Sequence, residues 1–374
     1  MEEPIKIVYV HHAGVFGGAP KSLSYIIKYL DKNEYSPSLI NIEEGPINEF
    51  FEDIPVQLVK VNGIRPFHGT TVVEKSFKLL LRNWIFLLPS IYRAYRILKK
   101  SKPDLIHLNS TCLFAFGIAG YLLKIKVICH VREPLRDDFW GFPLRFFCKN
   151  FIKNYIAISE FDLKSLQLPY STIYKSVVIY NFVEEIQCVE RDVLFSKLGI
   201  ANTDIIFLYL ARFAKSNGWE ELIKMAKKVI RDNPTFHFVL VGAQNEDDLK
   251  YNDIENVHLF PFAQDVETFL CGADVFVCPF VMPHFARGVI EASACGLPII
   301  GSNIGGVNEL VVHDSTGFLY SNESEFLKYV NTLGKNQSLR NDMGENGMKF
   351  AKKNFDIGKN LHKTYSFYSK VIKN

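Results

Sequence analysis

Short apolar runs rich in β-branched residues recur along this chain, with almost no polar alternation inside them. In the first half they read IKIVYV at 5–10, PSLINI at 37–42, VQLV at 56–59, DLIHLN at 104–109, KVICHV at 126–131, YIAIS at 155–159 and VVIYN at 177–181. Helix-length segments separate most of them. A strand that is apolar on both faces has to be covered on both faces, so the pattern predicts a parallel sheet between layers of helix. The pattern then restarts, with IIFLYLAR at 205–212, FHFVLVG at 236–242, VHLF at 257–260, DVFVCP at 274–279 and PIIGS at 298–302, alternating with amphipathic segments such as 218–231 and 265–271. Two doubly wound α/β sheets in tandem are expected, and 374 residues are ample for two domains of about 150 each. The first domain is placed at 1–185 and the second at 186–355, with the linker in the mixed-charge stretch 182–204. A last helix over 356–374, after a break near 356–358, is expected to return to the first domain. Ligands of such sheets lie at the carboxyl ends of the strands, which puts the expected active site in a cleft between the two sheets.

Composition removes several classes. Hydrophobic residues make up 48% and charged residues 22%, with no low-complexity tract, which excludes disordered, collagen-like and coiled-coil chains. The net charge of +3 is too small to argue for nucleic acid as a partner, but it divides into +5 over 1–185 and −2 over 186–374. An anionic surface is therefore expected to meet the first half. Seven cysteines, an odd number with no Cys-x-x-Cys pair, predict free thiols rather than a disulfide framework or a zinc site. The start MEEPIKIVYV carries acids where a signal peptide carries bases, so a cytoplasmic location is expected. The longest uncharged run, 105–123, contains His107, Asn109, Ser110 and Thr111, and no membrane span is expected there.

Two segments carry candidate chemistry. The first strand runs into HHAGVFGGAPKSL, where Gly14, Gly17 and Gly18 precede a helix beginning near Pro20. Backbone N–H groups there suit an anion or a sugar, although a tight strand-helix turn explains the glycines equally well. The spacing fits neither the dinucleotide fingerprint nor the Walker loop. The second segment, PHFARGVIEASACGLPIIGSNIGGVNELV at 283–311, places the small-residue turn Phe285, Ala286, Arg287 and Gly288 at the opening of a helix that carries Glu291. That helix N-terminus suits a phosphate, and Glu291 about one turn in suits a ribose diol. A second helix N-terminus is expected at Gly305-Gly306, with Glu309 close by.

The 283–311 segment resembles the signature of the retaining GT-B glycosyltransferases of family four, also called glycosyl transferases group 1. Nearly the whole chain fits the resemblance: the loop glycines Gly17 and Gly18, His130 in CHVREP, the strand end with Ala157 and Ser159, Asn181 in VIYNFV, and Arg212 in LARF. The resemblance implies two Rossmann-like domains, the first for the acceptor and the second for the nucleotide-sugar. It implies transfer of a sugar from a nucleotide diphosphate-sugar, UDP before GDP, with retained configuration, no metal and no other cofactor. Arg212 and the 286–288 turn would neutralise the leaving diphosphate, which would itself help take the acceptor's proton, and His130 would hydrogen-bond the donor sugar. The chain departs from the pattern twice. Pro283 stands where the first glutamate of the family pair belongs, with His284 as its polar neighbour, and Asn217 stands where the diphosphate lysine belongs, with Lys215 two residues earlier. The candidate catalytic residues are thus His130, Arg212 and Lys215. The candidate donor-binding residues are Gly17, Gly18, Arg212, Lys215, His284, Phe285, Ala286, Arg287, Gly288 and Glu291.

Residues 72–102 hold eight Lys/Arg against the single acid Glu74, beside an apolar face with Trp84, Phe86 and several leucines; Pro89 is expected to kink or divide the helix. Such a helix suits peripheral docking on the anionic inner leaflet of a membrane, or ordinary packing on the first sheet with its bases in solvent. The leading expectation is a glycosyltransferase that builds a surface polysaccharide such as an O-antigen, capsule or lipopolysaccharide, on a saccharide or lipid-linked acceptor. A nucleotide-sugar epimerase of the same fold and a catalytically silent sugar-nucleotide-binding protein are the alternatives.

Overall fold

In the computed structural model, residues 3–14, 17–249, 253–263 and 266–373 are described. The chain divides into two compact units, Met1–Asn181 with Gly358–Asn374, and Phe182–Ile357. The division falls four residues before the 185/186 boundary drawn from sequence.

The first unit is built on seven strands, β1 (Ile5–His11), β2 (Tyr35–Asn41), β3 (Gln57–Lys60), β4 (Leu105–Leu108), β5 (Lys126–Val131), β6 (Asn154–Ala157) and β7 (Ser176–Val178). They lie in the order β3-β2-β1-β4-β5-β6-β7, and each neighbouring pair is parallel. Each apolar run of the first half thus becomes a strand. Ile7, Tyr9, Val10, Leu105, Ile106 and Leu108 are fully buried, as two-sided coverage requires. The chain starts in the middle, moves outward through β2 and β3, and crosses back to pair β4 with β1 at Val10↔Leu108. The carboxyl ends of β1 and β4 therefore flank the point where the strand order reverses, the ligand position of open α/β sheets.

The crossover includes the helix Phe77–Ser101, which starts on the cap Ser76, ends at Lys102 in a left-handed conformation, and continues unbroken past Pro89. Residues 72–76 precede it. It buries Asn83, Leu87, Ser90, Ala94 and Leu98, while Phe77, Leu81, Trp84, Ile85, Leu88 and Tyr92 stay exposed. Among the described residues no helix is long and apolar enough to cross a membrane.

The helix Ile357–Lys373 packs on the first unit. Tyr368 Oη lies 2.6 Å from His107 Nδ1, Tyr365 Oη donates to the Ile26 carbonyl at 3.0 Å, and Asn360 Nδ2 donates to the Tyr180 carbonyl at 3.1 Å.

The second unit holds β8 (Ile205–Leu210), β9 (Phe236–Ala243), β10 (Val257–Pro261), β11 (Val275–Cys278), β12 (Ile299–Ser302) and β13 (Gly317–Tyr320), in the parallel order β10-β9-β8-β11-β12-β13. The strand β13 escaped the sequence pattern because it is four residues long. Gly317 (φ +154°) lets it close on β12, since a Cβ there would stand 2.1 Å from the Ile299 carbonyl oxygen. The stretch 182–204 is more than a linker. It contains the helix Asp192–Leu198, and Arg191 donates through both terminal nitrogens to the buried Asp274 at 2.9 Å, whose Oδ2 also accepts from Ile206 N at the start of β8. Of the amphipathic segment 265–271, Asp265 lies outside the described residues, and the helix runs Glu267–Gly272.

Tyr368→Phe tests how firmly the last helix holds the first unit. It leaves His107 Nδ1 buried without its partner, so urea unfolding should report a loss of about 1–3 kcal/mol.

Candidate active site

At the carboxyl edge of the first sheet a buried polar network joins five segments. Arg132, just past β5, donates from Nε to Asn109 Oδ1 at 3.0 Å and from Nη1 to Asn181 Oδ1 at 2.7 Å. Asn181 Oδ1 also accepts from Ser22 Oγ at 3.2 Å, in the helix Gly18–Lys28. Asn109, following β4, lies 3.0 Å from His11 Nδ1 at the end of β1 and donates to the Ala19 carbonyl at 3.2 Å. Asn181 therefore positions the guanidinium rather than standing alone. Arg132 was missed from sequence, although it lies two residues after His130 in CHVREP.

His130 sits on β5 two residues beyond Ile128, which pairs with His107, so strand alternation puts both imidazoles on one face of the sheet. Their ring centroids are 5.3 Å apart. His130 is 3% exposed, and neither ring nitrogen has a hydrogen-bond partner among the described residues. Burial, reinforced by the Arg132 charge, holds it neutral, its pKa well below 6.5. A neutral imidazole offers one donor and one acceptor, and buried polar atoms of this kind are normally satisfied, so a hydroxyl-bearing ligand would complete the site.

The loop glycines differ in role. A Cβ on Gly14 would stand 2.5 Å from the Glu44 carbonyl oxygen, so Gly14 is required by packing. Gly17, in extended backbone before Gly18 opens the helix, has only Pro20 Cδ at 3.9 Å among the described residues, so no packing contact there requires glycine. Val15 and Phe16, between them, lie outside the described residues.

In the second unit the strand order reverses between β8 and β11. Arg212 is exposed just past β8, and its carbonyl accepts from Tyr209 Oη at 3.1 Å and Asn217 Nδ2 at 2.9 Å. Asn217 is buried, and the residue at the family's lysine position fixes the Arg212 backbone. Lys215 is exposed at the start of the turn Lys215–Asn217. The His284 ring stacks on Phe280 with centroids 4.2 Å apart, and its Nδ1 donates to the Met282 carbonyl at 2.8 Å, which leaves Nε2 as the acceptor. Burial, with Arg212 adding to it, lowers the His284 pKa to about 4.

Phe285 and Ala286 are buried and lead into the helix Arg287–Ala294. A Cβ on Gly288 would stand 2.8 Å from the Leu210 carbonyl oxygen and from Phe276, so glycine seats the helix directly on the end of β8. Arg287 Nε donates to Glu291 Oε1 at 2.8 Å, both side chains being nearly buried. The second helix expected at Gly305-Gly306 does not form. Residues 305–310 make consecutive turns, and Gly306 (φ +89°) instead packs against the His284 carbonyl, where a Cβ would come within 2.5 Å. The structure thus gathers Arg212, His284, Arg287, Gly288 and Glu291 at one edge of the second sheet, with Lys215 in the adjoining turn, whereas His130, Gly17 and Gly18 belong to the first unit.

Residues 16–185 match the model of Glycosyltransferase Family 4, and residues 190–350 match that of Glycosyl transferases group 1. The chain belongs to the family-four glycosyltransferases. Over 99% of its length this glycosyltransferase is 24% identical to the UDP-Gal:alpha-D-GlcNAc-diphosphoundecaprenol alpha-1,3-galactosyltransferase of Escherichia coli, covering 98% of that protein. It is 28% identical to an uncharacterized glycosyltransferase of Methanocaldococcus jannaschii, over 90% of each chain. Its fold is that of Anabaena HepE, solved with UDP and glucose, with a TM-score of 0.80 and 19% identity over 98% of this chain and 99% of that one. Both units of the glycosyltransferase are therefore GT-B Rossmann-like domains.

The buried histidines make the stability of this glycosyltransferase pH-dependent. In the unfolded chain each titrates near 6.5. In the fold, burial lowers His107 to about 3, His12 to about 4, and His11 and His130 well below 6.5. Below pH 6.5 the unfolded state binds protons that the native state refuses, so stability falls as pH falls, by up to about 1.4 kcal/mol per pH unit for each histidine. The urea midpoint should drop between pH 7.5 and 5, and His130→Gln should flatten that slope.

Proposed function

We propose that this enzyme transfers a sugar from a UDP-sugar, with retained anomeric configuration, to a lipid-linked saccharide during assembly of a bacterial surface polysaccharide. The observation that carries the reading is the Arg287–Glu291 pair at a helix opening, seated by Gly288 on the end of the strand that leads to Arg212. Arg287 fixes one carboxylate oxygen of Glu291, and the other is read as the acceptor for the ribose hydroxyls. The first-turn N–H groups of the helix, Arg212 and Lys215 supply positive charge for the diphosphate. That charge matters most as the glycosidic bond breaks, when the leaving group gains a full negative charge. With these cations in place the reading needs neither a metal nor another cofactor, and the departing phosphate is the base for the acceptor hydroxyl. In the first unit His130 offers its unsatisfied nitrogens to a sugar hydroxyl. The galactosyltransferase relative, whose acceptor carries diphosphoundecaprenol, supports the lipid-linked class, and its UDP-Gal donor supports UDP.

A lipid-linked acceptor calls for docking at the inner face of the membrane. The outward stripe Phe77, Leu81, Trp84, Ile85 and Leu88 makes ring contacts from Phe77 to Trp140 at 5.2 Å and from Trp84 to Phe147 at 6.4 Å, and the exposed Phe142 and Phe146 lie close to Trp140 and Phe147 in the chain. Lys78 and Arg82 border the stripe on the same helix. Aromatic bulk flanked by bases complements an anionic leaflet, each base contributing about 1 kcal/mol near the surface.

Arg212→Ala should lower turnover by about a hundredfold with little change in UDP affinity, because its contact strengthens in the transition state. Glu291→Ala should weaken UDP binding by about 1.5–3 kcal/mol in calorimetry; wild-type affinity in that variant would remove the ribose assignment. Co-sedimentation with vesicles should rise with anionic lipid, fall in high salt as screening shortens to about 3 Å at 1 M, and be lost in a Trp84→Glu, Leu88→Glu variant. Equal binding to neutral vesicles would overturn the electrostatic part of the docking.

A further inference from the structure

Three cysteines far apart in sequence converge in the second unit, away from the candidate donor site. Cys188 lies in a segment without regular structure, Cys271 near the end of the helix Glu267–Gly272, and Cys295 directly after the helix Arg287–Ala294. Their sulfur atoms all lie within 4.8 Å of one another. The Cys188 thiol is within hydrogen-bonding reach of both others. Cys271 and Cys295 each precede the start of a strand, β11 and β12, so the cluster sits at the amino edge of the sheet, opposite the edge that holds Arg212 and Glu291. The remaining cysteines, Cys112, Cys129, Cys148 and Cys278, are buried separately from it.

We propose that Cys188, Cys271 and Cys295 form a thiolate site for a soft d10 cation of the zinc class, with the fourth coordination position open to solvent beside the exposed Cys188. A tetrahedral cation with metal–sulfur bonds of about 2.3 Å needs its sulfurs about 3.8 Å apart. Sulfurs already within 4.8 Å of one another are within about an ångström of that spacing. Three sulfur ligands select soft cations over magnesium or calcium, which take oxygen ligands. Binding exchanges three thiol protons for one cation, so affinity rises with pH.

The site also fixes what the cation holds together. It ties the coil around Cys188 to the ends of two helices. One of these is the helix whose other end carries Arg287, about 12 Å away at 1.5 Å per residue. At that distance the cation touches no reacting group, and its role is to brace the helix behind the donor site.

The test is titration of the reduced full-length chain with Cd(II) and with Co(II). One equivalent should bind, with a sulfur-to-metal charge-transfer band and a visible Co(II) spectrum of tetrahedral type, and thermal unfolding with Zn(II) should shift upward. Cys188→Ser lies on exposed coil and should retain the far-ultraviolet circular dichroism of the parent while weakening the metal by more than the about 100-fold that an outer-sphere change can cost. Cys295→Ser should do the same and provides a second reading if either variant misfolds. Three results would overturn the site: no charge-transfer band, a band that survives in the triple serine variant, or a disulfide from Cys188 to Cys271 or Cys295 in protein that has met no metal.

Discussion

A strand covered by helices on both faces has nowhere to place a working polar side chain except at its ends. That constraint organises both units of this glycosyltransferase. Within the sheets the backbone is paired and most side chains are apolar, so charged and hydrogen-bonding groups collect toward the places where strands stop. Each sheet reverses its strand order at one place, and there two neighbouring loops diverge and leave room. His11 and Asn109 stand at that place in the first unit, and Arg212 stands there in the second. The tight glycine contacts follow from the same geometry, because loops that leave adjacent strand ends run against one another. A Cβ on Gly242 would come within 1.8 Å of the Ala211 carbonyl oxygen, the residue before Arg212.

Much of this was legible in the sequence, because two-sided burial leaves a one-dimensional trace. Each apolar run of the first half became a strand, and the helix opening at Arg287 follows from a small-residue turn before an amphipathic run. The failures share a physical cause. The strand β13 is too short for its four residues to stand out, and its place depends on a glycine contact with β12. The turns at 305–310 carry a plausible helix start, but Gly306 is held against the His284 carbonyl by packing that only the fold supplies. Asn217 reads as a missing phosphate ligand until its amide is seen bound to the Arg212 carbonyl. The cysteine trio is the sharpest case, since its members lie in three separate segments with no recognisable spacing.

The structure also separates two kinds of polar burial. Arg132, Asn109, Asn181 and Ser22 hydrogen-bond one another and tie the helix Gly18–Lys28 to the sheet, which makes that corner stiff. His130, a few residues away, carries the desolvation cost without hydrogen bonds to offset it. A stiff frame around an unsatisfied imidazole is the arrangement that preorganises a binding site, because the surrounding groups need not move when a ligand completes it.

The last helix of the chain belongs to the first unit, and this has a bearing on how the molecule is made. Tyr368 seals the face of the sheet that carries Tyr9 and His107, yet it is synthesised after the whole second unit. On the ribosome the amino-terminal sheet therefore emerges with that face uncovered and waits for the second unit to be translated before Gly358–Asn374 can close it. Loss of the helix Ile357–Lys373 would accordingly disturb the half of the protein that was translated first.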